Sequence, residues 1–285
     1  MEAKRDSRIL RALLEPCGLD LPPTDLDGAH WAQEEALRLH KAELDRRPSA
    51  LLSRQRPGVG LDEAYLVQWV GAAQRVRRGA RVIGHKVGLT SAAMQAQFGI
   101  DQPDSGLLLD RMIVTEGQDL PVDDLLAPRV EGEIAFRLAT DVRGGDVGEE
   151  EIRNAVGECL LALEVIDSRY GIEGLTLADS VADNAACARI VLGRAAPGVP
   201  EDLADELLTL SVDGAVAASG YGRAVLGDPV RSLLWLARRL HTFGAGLRAG
   251  DVVLAGAVHA SLSLRPGQTV VVSSPRFPEA VLHAA

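Results

Sequence analysis

The chain has 285 residues, a formal net charge of -10, 47% hydrophobic residues and 25% charged ones. A chain of that length and composition buries one sizeable core as an ordinary soluble globular protein. Its acidic balance excludes nonspecific binding to nucleic acid or to an anionic membrane as the main activity.

The first 79 residues read as mainly helical. Here Lys and Arg balance Asp and Glu, 13 against 12, whereas the remainder carries 17 against 28. Two prolines and two glycines between Arg46 and Gly60 mark a loop or linker. Asp62 is placed to cap a helix in which Tyr65, Leu66, Trp69, Val70, Ala73 and Val76 recur at helical spacing. That helix stops at Gly79, and the arginines of its last turn, Arg75, Arg77 and Arg78, are accounted for by the helix dipole.

From Arg81 the pattern becomes one of strands. In Arg81 to Leu89, Ile83, His85, Val87 and Leu89 share one face, and Lys86 emerges on the other between Gly84 and Gly88. Glycine in a strand often marks close approach of a ligand or another backbone, so Lys86 is a candidate to meet a substrate carboxylate; a solvent-pointing lysine has the same spacing. Thr90 or Ser91 then caps a short helix, and Gln102-Pro103-Asp104-Ser105-Gly106 forms a loop whose Asp104 suits an acid, a base or an Asx turn.

Glu131 and Glu133 lie in a run, Pro128 to Leu138, that alternates like a strand. Both carboxylates therefore point one way and Ile134, Phe136 and Leu138 the other, with the two glutamates about 6.5 to 7 Å apart at the backbone. A third carboxylate, Glu164, stands in the apolar run Leu160 to Ile166, where a lone charge is costly unless protonated, paired or facing a cleft. Three carboxylates without a His or Cys set suit a hard ion, Mg²⁺ or Mn²⁺. A solvated strand face, with Glu164 paired to an arginine, fits the same spacing.

Further on, Asp146 and Glu149 have the spacing of a capping box, Val212-Asp213-Gly214 that of a tight hairpin, and Asp228-Pro229 opens a helix ending near Gly244. Asp251 to Ala257, Ser261 to Leu264 and Thr269 to Ser274 read as three short strands. Cys17, Cys159 and Cys187 form no zinc-like spacing, no uninterrupted apolar run approaches a membrane span, and Met1 to Asp6 lacks an apolar signal core. These features predict a cytoplasmic location, with neither nucleic acid nor membrane as partner. The nucleotide, serine-hydrolase and zinc-protease motifs GxGxxG, GxxxxGK[ST], GxSxG and HExxH are missing.

Six blocks occur in a fixed order: Gly84 to Thr90, Gln102 to Gly106, Pro128 to Ala135, Ala162 to Arg169, Val181 to Cys187 and Leu247 to Asp251. With them the chain from about Leu61 onward resembles the 2-keto-4-pentenoate hydratase (2-hydroxypenta-2,4-dienoate hydratase) family of the fumarylacetoacetate hydrolase superfamily. The resemblance implies an α+β fold, a mixed β-sheet roll of the fumarylacetoacetate hydrolase type, with residues 1–79 as a helical N-terminal region and 80–285 as the catalytic domain. It implies a divalent metal, Mg²⁺ or Mn²⁺, on Glu131, Glu133 and Glu164, with Lys86 and Asp104 as catalytic residues and Ser168 and Arg169 bordering the substrate.

The implied reaction adds water to a 2-hydroxy-2,4-dienoate to give a 4-hydroxy-2-oxo acid, in catabolism of aromatic meta-cleavage products. A 4-oxalocrotonate decarboxylase and a weakly active subunit of a hydratase/decarboxylase complex are the alternatives. The implied partners are a small 2-hydroxydienoate or 2-oxo acid, further copies in a homo-oligomer, and a related decarboxylase or downstream aldolase. Ala186, Ile172-Glu173 and Ala255 depart from the family pattern, each removing a polar or aromatic group expected near the pocket.

Overall fold

The structure, a computed structural model, describes residues 30–285 except 92–94, 96–99, 101 and 116. Cys17 and the body of the short helix expected after Thr90 or Ser91 lie outside the described residues.

Three helices come first, α1 (His30–Asp45), the single turn α2 (Leu52–Gln55) inside the expected loop, and α3 (Leu61–Arg77). Helix α3 is capped at Gly60 and not at Asp62: Gly60 N donates to Glu63 Oε2 at 2.9 Å, and both acids fall in the first turn, where they complement the dipole. Its buried face carries Tyr65, Leu66, Trp69, Val70 and Ala73, as the spacing predicts. Trp69 stands edge-on to Phe243 with ring centroids 4.8 Å apart, which ties the helices to the body of the fold.

After α3 come, in chain order, β1 (Val82–Gly88), β2 (Asp104–Leu109), β3 (Asp119–Leu120), β4 (Arg129–Leu138), α4 (Glu149–Ala155), β5 (Val156–Ile166), α5 (Leu177–Ala182), β6 (Cys187–Leu192), β7 (Ala196–Pro197), β8 (Leu207–Val212), β9 (Ala215–Tyr221), α6 (Val230–His241), β10 (Val252–Ala257), β11 (Leu262–Ser263), β12 (Thr269–Ser273) and β13 (Ala280–Ala284). One sheet runs β2-β1-β10-β4-β5-β6, with β11 on β4 and β7 on β5; the other runs β3-β13-β12-β8-β9. Parallel pairing of β1 with β10 beside antiparallel neighbours makes the first sheet mixed.

The two faces of β4 decide where the site lies. Ile134, Phe136 and Leu138 join Leu161, Leu163 and Val165 of β5, and with Val270 and Val272 of β12, Leu282 of β13 and Leu233 and Leu236 of α6 they form the core between the sheets. On the opposite face Ala135, Leu160, Ala162 and Leu254 make a second apolar cluster, and the carboxylates emerge beside it.

Several local expectations resolve at the element ends. The Asp146/Glu149 capping box does not form: α4 starts after Gly148 with no side-chain cap, and Glu149, Glu150 and Glu151 fill its first turn. Asp213-Gly214 does join β8 to β9 as a hairpin, with φ of 52° and 80°. Asp228 Oδ1 accepts from Val230 N at 2.9 Å and opens α6. The three expected tail strands appear as β10, β11 and β12. Strand β13 follows them without having been signalled, because five residues, two of them alanine, carry little strand propensity of their own.

Candidate metal and substrate site

The β4/β5 register sets Glu131 directly opposite Glu164 and Glu133 opposite Ala162. All three glutamates therefore share a sheet face, and one carboxylate oxygen from each lies within 4.8 Å of the others. Glu133 and Glu164 are 0% exposed and Glu131 is 7% exposed, so the solvated-face reading of the spacing does not hold. Glu133 Oε2 accepts from Gly256 N at 2.8 Å, where the β10 register is interrupted. Its Oε1 and Glu164 Oε1 have no hydrogen-bond partner among the described residues, and Glu164 Oε2 has only an ion pair. Burial, and then the charge of Glu164, pushes Glu131 up to about 7 and Glu133 well above the carboxylate range.

Buried, converging carboxylates are tolerated only when protons or a cation neutralise them. Among the described residues the cation in ion-pair contact with the trio is Lys86, whose Nζ lies 3.3 Å from Glu164 Oε2 and donates to Ala185 O at 3.0 Å. Burial opposes its charge, but Glu164 and Asp104 overcome that and hold the ammonium well above the usual lysine range. One lysine leaves the trio short of positive charge. An all-oxygen donor set, buried and with Glu133 Oε1 and Glu164 Oε1 unpartnered among the described residues, fits a hard divalent ion such as Mg²⁺ or Mn²⁺.

Asp104 heads β2 and pairs with Gly88 of β1. A Cβ on Gly88 would stand 2.3 Å from Asp104 Oδ1 and 2.9 Å from Lys86 Nζ, so a bare glycine leaves room for both the acid and the ammonium. Ser180 Oγ donates to Asp104 Oδ2 at 2.5 Å, while Oδ1 is buried and without a partner among the described residues. Sequence reading missed Ser180. The signal was present, because Thr176-x-x-Asp179 is a capping pair that opens α5 and places Ser180 in its first turn.

The chain between α5 and β6 supplies the anchor for Lys86. Asn184, Ala185 and Ala186 all adopt left-handed backbone, with φ of 55°, 49° and 59°. Such a run in residues bearing a Cβ costs about 1 to 2 kcal/mol per residue. It is held by Asn184, whose Oδ1 accepts from Leu107 N at 2.7 Å and whose Nδ2 donates to Leu107 O at 2.9 Å, leaving Ala185 O aimed at Lys86.

Glu131, Glu133, Glu164, Lys86 and Asp104 are thus brought together. Ser168 and Arg169 are engaged elsewhere: Arg169 Nε bonds Asp183 Oδ1 at 2.6 Å and its NH1 donates to Asp167 O at 2.8 Å, while Ser168 Oγ donates to Gly171 O at 2.8 Å. Neither forms a hydrogen bond or ion pair with the carboxylates or Lys86 among the described residues. Of the departures from the family pattern, Ala186 lies in the left-handed turn. Ala255 packs into the core between the sheets and Ile172 is exposed, so neither of these opens the carboxylate face.

Residues 81–282 match the family described as fumarylacetoacetate (FAA) hydrolase C-terminal, and fold and site together define a protein of that superfamily. A 2-keto-4-pentenoate hydratase from Paraburkholderia xenovorans (strain LB400) is 36% identical over 237 residues, 82% of this chain and 88% of that one. A 2-hydroxyhexa-2,4-dienoate hydratase from Comamonas testosteroni is 35% identical over 231 residues, 80% of this chain and 88% of that one. The chain belongs to the 2-keto-4-pentenoate hydratase family. Among solved structures, 4-oxalocrotonate decarboxylase from Pseudomonas putida G7, complexed with magnesium and adipate, superposes with a TM-score of 0.86 at 29% identity, covering 90% of this chain and 98% of that one. No helix among the described residues is long and apolar enough to cross a membrane.

Proposed function

We propose that this chain is a metal-dependent hydro-lyase that adds water to a 2-hydroxy-2,4-dienoate to give a 4-hydroxy-2-oxo acid, in breakdown of aromatic meta-cleavage products. The observation that carries the reading is the buried trio Glu131, Glu133 and Glu164, with two oxygens unpartnered among the described residues, beside Lys86. These glutamates would hold the Mg²⁺ or Mn²⁺. When bound, the ion supplies Lewis-acid stabilisation of negative charge on the substrate's 2-oxygen.

The remaining work falls to side chains of this chain. Lys86 donates to Ala185 O and ion-pairs with Glu164 Oε2, which leaves it an N–H to orient the substrate carboxylate or pass a proton. Asp104, fixed through Oδ2 by Ser180, presents Oδ1 as the group that accepts a proton or positions the water. In balance, the dienol 2-OH loses a proton and C5 gains one, giving the α,β-unsaturated 2-oxo acid. The oxygen of water then bonds to C4, one of its protons is lost to solvent or a base, and C3 is protonated. Ser168 and Arg169 act in this reading as supports of the substrate-side backbone through Asp183.

In this reading the N-terminal region, 1–79, contributes its described helices, α1 to α3, as a cover for the catalytic domain, 80–285. The enzyme is read as a cytoplasmic homo-oligomer that associates with a related decarboxylase or downstream aldolase; the scattered cysteines support the location. Its structural similarity to 4-oxalocrotonate decarboxylase favours decarboxylation as the second reading. Offering purified protein 2-hydroxypenta-2,4-dienoate and 2-oxohex-3-enedioate, with Mg²⁺ or with excess chelator, decides between them. Consumption of the dienoate with formation of 4-hydroxy-2-oxopentanoate supports the hydratase, and CO₂ release from the diacid supports the decarboxylase. Full activity in chelator refutes the metal.

A further inference from the structure

A cavity of about 280 Å³ lies between the N-terminal helices and the sheet, and none of Glu131, Glu133, Glu164 or Lys86 lines it. Its walls carry five guanidiniums, Arg75, Arg78, Arg111, Arg169 and Arg189, against two carboxylates, Glu43 and Asp183. This concentration of positive charge sits in a chain whose net charge is -10. Arg75 pairs with Glu43, and Arg169 with Asp183 at 2.6 Å.

The other three have no acidic partner among the described residues. Arg78 NH1 contacts His40 Nε2 at 2.6 Å, Arg111 NH2 donates to Arg78 O at 2.9 Å, and Arg189 NH1 donates to Ala188 O at 2.8 Å. The dipole of α3 accounts for cations in its own last turn but gives no reason for Arg111, from the segment after β2, or Arg189, from β6, to converge there. The local field is strong: although burial works the other way, Arg75, Arg169 and Arg189 together hold Glu43 down to about 2.

We propose that this cavity is a binding site for a small dianionic oxyanion, a phosphate or a dicarboxylate, held by Arg78, Arg111 and Arg189. Guanidinium forks match the paired oxygens of either group, and the volume falls just below the roughly 300 Å³ at which pockets for drug-sized ligands begin. The ligand is therefore one of few atoms. Enclosure on the sheet side by Leu107, Leu109 and Met112 strengthens each charge contact by excluding water.

Calorimetric titration of the full chain in excess chelator, with inorganic phosphate, succinate or sodium chloride, tests the site apart from any metal centre. The expected result is saturable binding of phosphate or succinate at one site per chain and no comparable heat from chloride. Which dianion binds identifies the class. Arg189→Gln and, separately, the exposed Arg111→Gln should each weaken it tenfold or more with the circular dichroism spectrum retained, while Glu133→Gln binds as the parent does. No saturable heat from either dianion, equal binding by both arginine variants, or loss of binding in Glu133→Gln would overturn the proposal. So would a change of assembly state on sedimentation of Arg111→Gln without added anion, which would make the cavity a contact between subunits.

Discussion

Glu133→Gln should move stability in opposite directions depending on whether a divalent ion is present. The glutamine keeps the acceptor that Gly256 N uses at 2.8 Å and replaces the unpartnered Oε1 with an N–H₂ directed at the remaining carboxylates. Two unit charges 4.8 Å apart, the widest separation within the trio, would repel by about 3.5 kcal/mol at an effective dielectric of 20, a cost that metal-free protein bears or avoids by protonating Glu133 and that the substitution removes. Allowing for relaxation, a gain of about 1 to 3 kcal/mol is expected, and each kcal/mol raises the melting temperature of a domain of this size by at least about 2 °C. With Mg²⁺ at a hundredfold above its dissociation constant the parent gains about 2.7 kcal/mol and the variant almost nothing. Thermal unfolding of both proteins in chelator and in Mg²⁺ gives the four numbers. If Glu133→Gln is less stable than the parent by the same amount in both buffers, the carboxylates form a structural network and the metal assignment fails.

Lys86→Met, which keeps the stem but removes the ammonium, should lower kcat by about 10² to 10⁴ in a spectrophotometric dienoate assay; a rate within threefold of the parent would remove Lys86 from the chemistry. Gly88→Ala would put a methyl 2.3 Å from Asp104 Oδ1 and 2.9 Å from Lys86 Nζ, so turnover should fall at least tenfold while the far-ultraviolet circular dichroism is retained. His85, on the opposite face of β1, is held down to about 4 by burial and then by Arg248. Its folded pKa is below the unfolded 6.5, so the stability it contributes is present above pH 6.5 and lost as pH falls toward 4, amounting to about 2 kcal/mol by pH 5. Urea unfolding at pH 7 and pH 5 should show that loss in the parent and a correspondingly smaller difference in His85→Leu.

What the sequence disclosed was governed by period. Strand alternation put Glu131 and Glu133 on one face, and an apolar run made Glu164 conspicuous, because both signals are local. The register that sets Glu131 opposite Glu164 depends on how β4 meets β5 across a connection that includes α4, and no local pattern states it. Ser168 and Arg169 illustrate the converse. Their neighbourhood was read correctly, but Asp183, fourteen residues beyond Arg169, claims the guanidinium. Arg75 and Arg78 were explained by their own helix, since the arrival of Arg111 and Arg189 beside them is a matter of tertiary placement. Asp104 was legible as an acid in a loop, yet only the fold makes it the first residue of a strand facing Lys86.

Because Lys86 is anchored by the carbonyl of Ala185, its hold belongs to the main chain and to no side chain at that position. Residues 185 and 186 can therefore drift in identity, as Ala186 illustrates, without releasing the lysine, provided the turn keeps its handedness. The vulnerable member is Asn184, whose amide clasps Leu107 at both backbone atoms: Lys86 is insured against change at its own anchor and exposed to change one residue away.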